Sequence, residues 1–413
     1  MDKKDFKIYI VGAGVSGLVA AQVLENQGYQ PVILEASDRA GGRVKTDIKK
    51  GFQLDHGFQV LLSSYPAAQK YLNFKALKLQ ELKPGAVIFN NGKQQIIGDP
   101  LRDISTLFST LFSGIGTLSD KFKIFQLNLK LKNKSIEAIF SSDEISTKVY
   151  LQEFGFSSQI ITQFFTPFFT GIFLENELTT SSRMFEFVFK MFGEGLAVLP
   201  KGGIEEISKQ LVSNLKHTTF QYNTQVSSVS NEEIVLHTGE KLVSTATIIA
   251  TDASKLVRDA PSKNLIWKSC QTLYFTANKR VIEKPMIGLV SKKDSLINNI
   301  FYHTSVATNS NNTEELLSVT VVKEHQLTEE QLIATVTKQL QEECTIDHLT
   351  FLAVYHIEKA LPDLKDIKYE VSPSESQLSS GIFLAGDIQL NGSLNAAMIA
   401  GEKAALQVIT SLK

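Results

Sequence analysis

Residues 8 to 37 read IYIVGAGVSGLVAAQVLENQGYQPVILEAS, and no other stretch of the chain limits its fold so tightly. Ile8-Tyr9-Ile10-Val11 is a short, mostly apolar run of the kind that makes a buried parallel strand. It ends at Gly12-x-Gly14-x-x-Gly17. Leu18 to Gln27 then places apolar residues at Leu18, Val19, Ala21, Val23 and Leu24 and stops at Gly28, which predicts a helix. Pro31-Val32-Ile33-Leu34 predicts a second strand, and it delivers Glu35. Strand, glycine turn, helix, strand and acid in this order form a βαβ unit suited to a dinucleotide. Gly12 permits the tight turn, Gly14 lets the backbone approach a pyrophosphate, and Gly17 lets the helix pack close to the strand. Val15 and Ser16 lie between these glycines, where free N–H groups and the helix dipole favour phosphate. Glu35, followed by Ala36, can accept both hydroxyls of an adenosine ribose. Its charge would repel a 2′-phosphate, which argues against NADP.

At 413 residues the chain is long enough for two or three domains. A formal net charge of −1 gives no electrostatic footprint for nucleic acid, so none is expected as a partner. The seven histidines show no ligand spacing, and no metal site is expected. Cys270 and Cys344 form neither a CxxC pair nor a disulfide framework, which fits a reducing compartment. The N-terminal residues lack the apolar core and cleavage site of a secretory signal. No run reaches the ~18 uninterrupted apolar residues of a spanning helix. A cytoplasmic location is the expectation.

FAD and NAD share the first fingerprint, and the following residues separate them. Asp38-Arg39-Ala40-Gly41-Gly42-Arg43 puts two glycines between arginines, suited to a loop crossing close to the phosphates with Arg43 as counter-charge. Directly after Glu35, this run resembles the second fingerprint of the large flavoprotein group of amine oxidases, protoporphyrinogen oxidases and phytoene-type desaturases. Gly381-Ile-Phe-Leu-Ala-Gly386-Asp387, followed by Asn391-Gly392-Ser393-Leu394-Asn395-Ala396-Ala397-Met398 and a helix to about Ile409, resembles that group's C-terminal flavin motif. The resemblance implies non-covalent FAD, with Asp387 at the ribityl-phosphate region. It also implies that the helix starting near Ser393, Asn395, Ala396 and Ala397 points its N-terminus at the flavin, where the dipole stabilises reduced, anionic flavin. By the same resemblance Gly57, in Phe52-Gln53-Leu54-Asp55-His56-Gly57, lies near the isoalloxazine, and the backbone of Val226 meets the adenine. His56 is a candidate contact to substrate or flavin, although a histidine beside a glycine is more often structural.

The implied fold class is α/β, with a Rossmann-type FAD-binding domain in three segments (1–75, 200–260 and 350–413). It interleaves with an α+β substrate domain (76–199 and 261–349). Alternation over Ile266 to Thr276 and Leu316 to Val322 predicts antiparallel strands, and Thr328 to Glu343 predicts a helix capped by Thr328. Residues 101–199 hold sixteen of the twenty-six phenylalanines, enough to build a helical core and still line a cavity for a large apolar substrate. Ile104, Leu107, Phe108, Leu111, Phe112 and Ile115 fall on one helical stripe. Lys121, Lys123, Lys130, Lys132 and Lys134 interleave with Phe122, Phe125, Leu127, Leu129 and Leu131. That pattern suits either a solvated helix face or weak peripheral contact with the inner, anionic face of a membrane.

The resemblance implies hydride transfer from substrate to flavin N5. The amine-oxidase pattern carries a Trp-containing stretch before the last helix, but here that stretch is Leu390-Asn391-Gly392-Ser393-Leu394, and the only tryptophan, Trp267, lies elsewhere in the sequence. The expected substrate is therefore a large apolar molecule, a polyene or porphyrinogen-like skeleton. A flavin-containing amine oxidase and a carotenoid-type isomerase using reduced FAD are the alternatives, with a non-catalytic FAD-binding protein behind them.

Overall fold

The computed structural model describes residues 2–90, 92–98, 114–258, 260 and 265–413. The predicted stripe at Ile104, Leu107, Phe108, Leu111 and Phe112 lies outside them.

Strand Ile8–Val11 and strand Val32–Leu34 pair in parallel around the first helix, Val15–Asn26. They sit in a six-stranded sheet with strand order 219–221, 32–34, 8–11, 246–249, 382–384, 377–379. All neighbours are parallel except the last pair. Apolar residues on both faces explain this sheet: Ile8, Ile10, Ile33 and Ile248 are buried on one face, and Val11, Leu34 and Ile249 on the other. The last helix, Leu394–Ser411, crosses the first so closely that a Cβ on Gly401 would lie 2.2 Å from Ser16 O.

The second sheet has seven strands in the order 350–363, 266–277, 315–321, 297–302, 287–290, 85–90, 93–98. Ile266–Ala277 and Glu315–Val321 match the predicted strands. Helix Glu329–Cys344 starts from Thr328, whose hydroxyl accepts from Gln331 N while the Gln331 side chain returns to Thr328 N. Thr350–Asp363 departs from expectation. The sequence assigned it to the third nucleotide segment, yet it pairs along its length with Ile266–Ala277. This strand therefore belongs to the second sheet, and the chain rejoins the six-stranded sheet at Gln377–Ser379.

Helices Leu118–Lys132, Thr147–Glu153, Thr166–Phe173 and Ser182–Glu194 form the phenylalanine-rich region. Phe165, Phe169, Phe185 and Phe187 are fully buried there, and the Phe169 and Phe185 rings lie 4.8 Å apart. These residues are core. A π-helical stretch, Ile161–Phe165, leads into Thr166–Phe173. Such insertions often mark functional sites.

His303 is buried among Phe301, Phe58 and Tyr274, with Nε2 3.0 Å from Ser318 Oγ. Burial pushes its pKa down to about 4. A histidine held neutral in the fold gives stability that is complete above its unfolded pKa of ~6.5 and is lost progressively as pH falls toward that folded value. We expect His303 to cost roughly 3 kcal/mol of stability over this window. Urea unfolding of the wild type and of His303→Gln at neutral and mildly acidic pH checks it. The variant should show a clearly smaller acid loss, and equal losses would remove His303 as the cause.

Candidate active site

One cavity of about 1740 Å³ runs between the two sheets and into the phenylalanine-rich helices. A single ligand pocket is typically about 300–1,000 Å³, so this volume has room for a cofactor and a second molecule. Of the residues singled out by sequence, Gly12, Gly14, Val15, Ser16, Glu35, Gly41, Gly42, Arg43, His56, Gly57, Gly386, Asp387, Ser393 and Ala397 line it. Gly17, Ala36, Val226, Asn395 and Ala396 are absent from its wall. Gly17 lies beneath, where a Cβ would come 2.1 Å from Gly12 O. Val226 is buried in an apolar cluster with Val11, Leu34 and Ile249. Asn395 is fully buried and accepts from Ala67 N at 3.0 Å, tying the last helix to the helix Pro66–Tyr71.

The two glycine loops run side by side. Gly14 and Gly41 form a bridge, and Gly41 N donates to Ala13 O at 2.9 Å. Ser16 Oγ accepts from Gly386 N at 2.9 Å, joining the first and third segments at the start of the first helix.

The residues fit FAD on several counts. A Cβ on Gly14 would meet no atom within 4 Å, so this stretch of backbone is open to the cavity. The first helix begins at Gly14 without a side-chain cap, leaving N–H groups for an anion. Glu35 also retains acceptor capacity. Its Oε2 accepts from Ala13 N at 2.7 Å and its Oε1 from Ser37 N at 2.9 Å. The single proton of Ser37 Oγ has two acceptors, Glu35 Oε1 at 2.7 Å and Arg39 O at 2.9 Å. When it serves Arg39, each Glu35 oxygen keeps one position for a ribose hydroxyl. Replacing Glu35 with alanine would remove two charge-assisted hydrogen bonds worth ~1.5–3 kcal/mol each. The expected result is at least a tenfold rise in the FAD dissociation constant by fluorescence titration, and an unchanged constant would show that the carboxylate does not hold the ribose.

Arg43, the expected counter-charge, is also engaged within the protein. Its guanidinium is paired with Asp387 and also donates to Ala360 O at 3.3 Å. The pair clasps the second fingerprint to the C-terminal motif and matches the charge of both groups. His56 is likewise held by protein: Nε2 lies 2.8 Å from Asp47 Oδ2, which also accepts from Tyr355 OH at 3.1 Å. Arg39 Nη2 lies 2.6 Å from the other Asp47 oxygen. Burial alone would raise the Asp47 carboxyl, but the hydrogen bonds from His56 and Arg39 hold it below its ordinary value. His56 therefore has a defined orientation and still borders the cavity.

Sequence reasoning missed part of the wall. Ala250, Thr251 and Asp252 line it, as do residues 356–365, carried in by the long strand Thr350–Asp363. Trp267 lines it too, so its distance in sequence from the C-terminal motif is misleading. The pairing of Trp267 with Pro362 brings it in. Arg43 lies 5.3 Å and Lys359 5.9 Å from its ring centroid. No local signal in the sequence announces this contact.

The model of the family described as flavin containing amine oxidoreductase matches residues 15–409. The chain belongs to that family. It is accordingly an FAD-dependent oxidoreductase by family, as the fingerprints implied. Over 77 residues, 18% of the chain, it is 46% identical to an L-amino acid oxidase of Bothrops pictus, covering 16% of that protein. Over 167 residues, 40% of the chain, it is 26% identical to protoporphyrinogen oxidase 2, chloroplastic/mitochondrial, of Arabidopsis thaliana, covering 32% of that protein. The chain thus matches less than a third of the length of either relative. An oxidoreductase from Methanosarcina mazei shares the fold, with a TM-score of 0.73 at 16% identity over 98% of this chain and 100% of that one. The shared fold thus extends over nearly the full length of both chains.

Proposed function

We propose that this family member removes hydride from a bulky apolar carbon skeleton, of the polyene or porphyrinogen kind, rather than from an amine. The observation that carries this reading is the wall of the cavity in the helical region. Phe122, Phe125, Phe164, Phe168, Phe189 and Phe192 line it, with Met184, Val188 and Leu196. At ~25 cal/mol per Å², a skeleton burying about 300 Å² there gains roughly 7 kcal/mol. Bound FAD supplies the hydride acceptor. The chain supplies orientation and a water-poor site.

A protonated amine would pay for desolvation on entering, and three acids of the wall are already beside cations, although Asp252 and Glu358 line it as well. Glu144 lies 3.7 Å from Arg183, Asp363 lies 3.4 Å from Lys268, and Asp387 is paired with Arg43. Trp267 is the feature that favours the amine reading, because a ring face can hold a cation. Here Arg43 and Lys359 already stand over that ring, and a third positive charge would be repelled.

FAD is held without a covalent link in this reading. Cys270 borders the cavity, but burial pushes its thiol up to about 11, leaving little nucleophilic thiolate. Acid precipitation should release the yellow colour to the supernatant, and colour retained in the pellet would contradict it. Anaerobic titration with polyene and porphyrinogen candidates tests the redox assignment. Bleaching of the flavin band in proportion to product supports it, whereas substrate conversion with no net reduction would identify an isomerase instead.

A further inference from the structure

We propose that the helix Leu118–Lys132 seats the mouth of the cavity on the surface of an anionic lipid bilayer. Its usefulness rests on the apolar-substrate reading, whereas the seating itself rests on the helix. Leu127 and Leu131, at 0% and 1% exposure, anchor one side in the core. Leu118, Phe122, Phe125 and Leu129 are 70%, 60%, 38% and 46% exposed. Their spacing of four, three and four residues places them on a single stripe opposite that anchor. Single exposed apolar residues are ordinary on protein surfaces, but a contiguous exposed stripe marks a contact.

The stripe continues inward. Leu118, Phe122 and Phe125 also line the cavity, where they join Phe164 and Phe168. An apolar path therefore runs from the outside of the helix to the interior.

Charge selects the partner. Lys121 and Lys132 flank the stripe, whereas Lys123 and Lys130 lie round toward the protein, donating to Gly155 O and, at 3.2 Å, to Tyr150 OH. The one acid of the helix, Asp120, is turned inward at 1% exposure and accepts from Ser157 N at 2.8 Å and Ser157 Oγ at 2.6 Å. Glu186, 3.7 Å from Lys130 and also paired with Lys134, is only 3% exposed. The outward face is thus apolar and cationic, the combination that settles into the headgroup region of anionic membranes. A stable protein partner would bury upwards of about 1,000 Å². A stripe one residue wide and about 17 Å long offers much less than that.

Flotation of the full-length, FAD-loaded protein with phosphatidylcholine vesicles, with and without phosphatidylserine, tests the proposal. Recovery should occur only with phosphatidylserine and should fall as salt is raised. Phe122→Ser combined with Leu129→Ser should lower partitioning at least tenfold, and Lys132→Ala about fivefold. Unchanged flavin absorbance and melting temperature would show that the variants are folded. Equal recovery with both vesicle types, recovery with neither, or wild-type partitioning of the double variant would overturn it. So would a dimer, seen by light scattering, that the double variant dissolves, because the stripe would then belong to a second copy. No turnover is measured, so a failure of the apolar-substrate reading leaves this result intact.

Discussion

Gly17→Ala is expected to abolish stable folding of the nucleotide-binding sheet. A Cβ at residue 17 would lie 2.1 Å from Gly12 O and 3.2 Å from Ile10 Cγ2. The first of these atoms is backbone, and its peptide is held by the bond from Ala13 N to Glu35 Oε2 at 2.7 Å, so it cannot swing aside as a side chain would. Relief requires the whole first helix to move. That helix is held from the other side by the last one, where Gly401 already meets Ser16 with no room for a Cβ. Overpacking of an adaptable core costs about 1–3 kcal/mol, and a clash between two backbones exceeds that range. The variant should appear as colourless, aggregated protein. A soluble yellow variant with a near-normal melting temperature would show that the helix and strand pack less tightly than described.

Gly14→Ala, three residues earlier, should behave in the opposite way. The backbone at Gly14 has φ −70 and ψ 172, which alanine adopts freely, and its Cβ would meet nothing within 4 Å. The protein should fold with a melting temperature close to that of wild-type apoprotein. The added methyl projects into the opening where the backbone must approach a pyrophosphate, next to the uncapped helix N-terminus. FAD affinity should fall by tenfold or more, seen as poor flavin retention on gel filtration. Full retention would place the phosphates elsewhere in the cavity.

The contrast between these glycines shows how much of the molecule was legible from residues. The nucleotide unit was readable because each demand on it is local: a turn at Gly12, an open backbone at Gly14, a close crossing at Gly17 and an acid at the end of a strand. Cross-chain partners were not. Arg43 and Asp387 were each marked as cofactor contacts, but their mutual ion pair joins residues far apart in sequence. Trp267 and the strand Thr350–Asp363 were misplaced for the same reason, since a strand's alternation does not name its neighbour. Val226 was carried over by resemblance alone, as a backbone contact, and its side chain packs in the apolar cluster with Val11 and Ile249. The phenylalanines divide as composition could not foretell, with Phe165 and Phe169 in the core and Phe164 and Phe168 at the cavity.

Stopped-flow mixing of oxidised protein with two substrate panels, without oxygen, shows whether the apolar cavity takes a carbon skeleton or an amine. One panel holds simple primary amines, polyamines and amino acids, and the other holds carotene and porphyrinogen candidates. Rapid loss of the flavin band is expected with a member of the apolar panel, and no useful rate with any amine. Fast bleaching by a simple amine, with none by the apolar compounds, would contradict the apolar-substrate reading and assign the chain to amine oxidation.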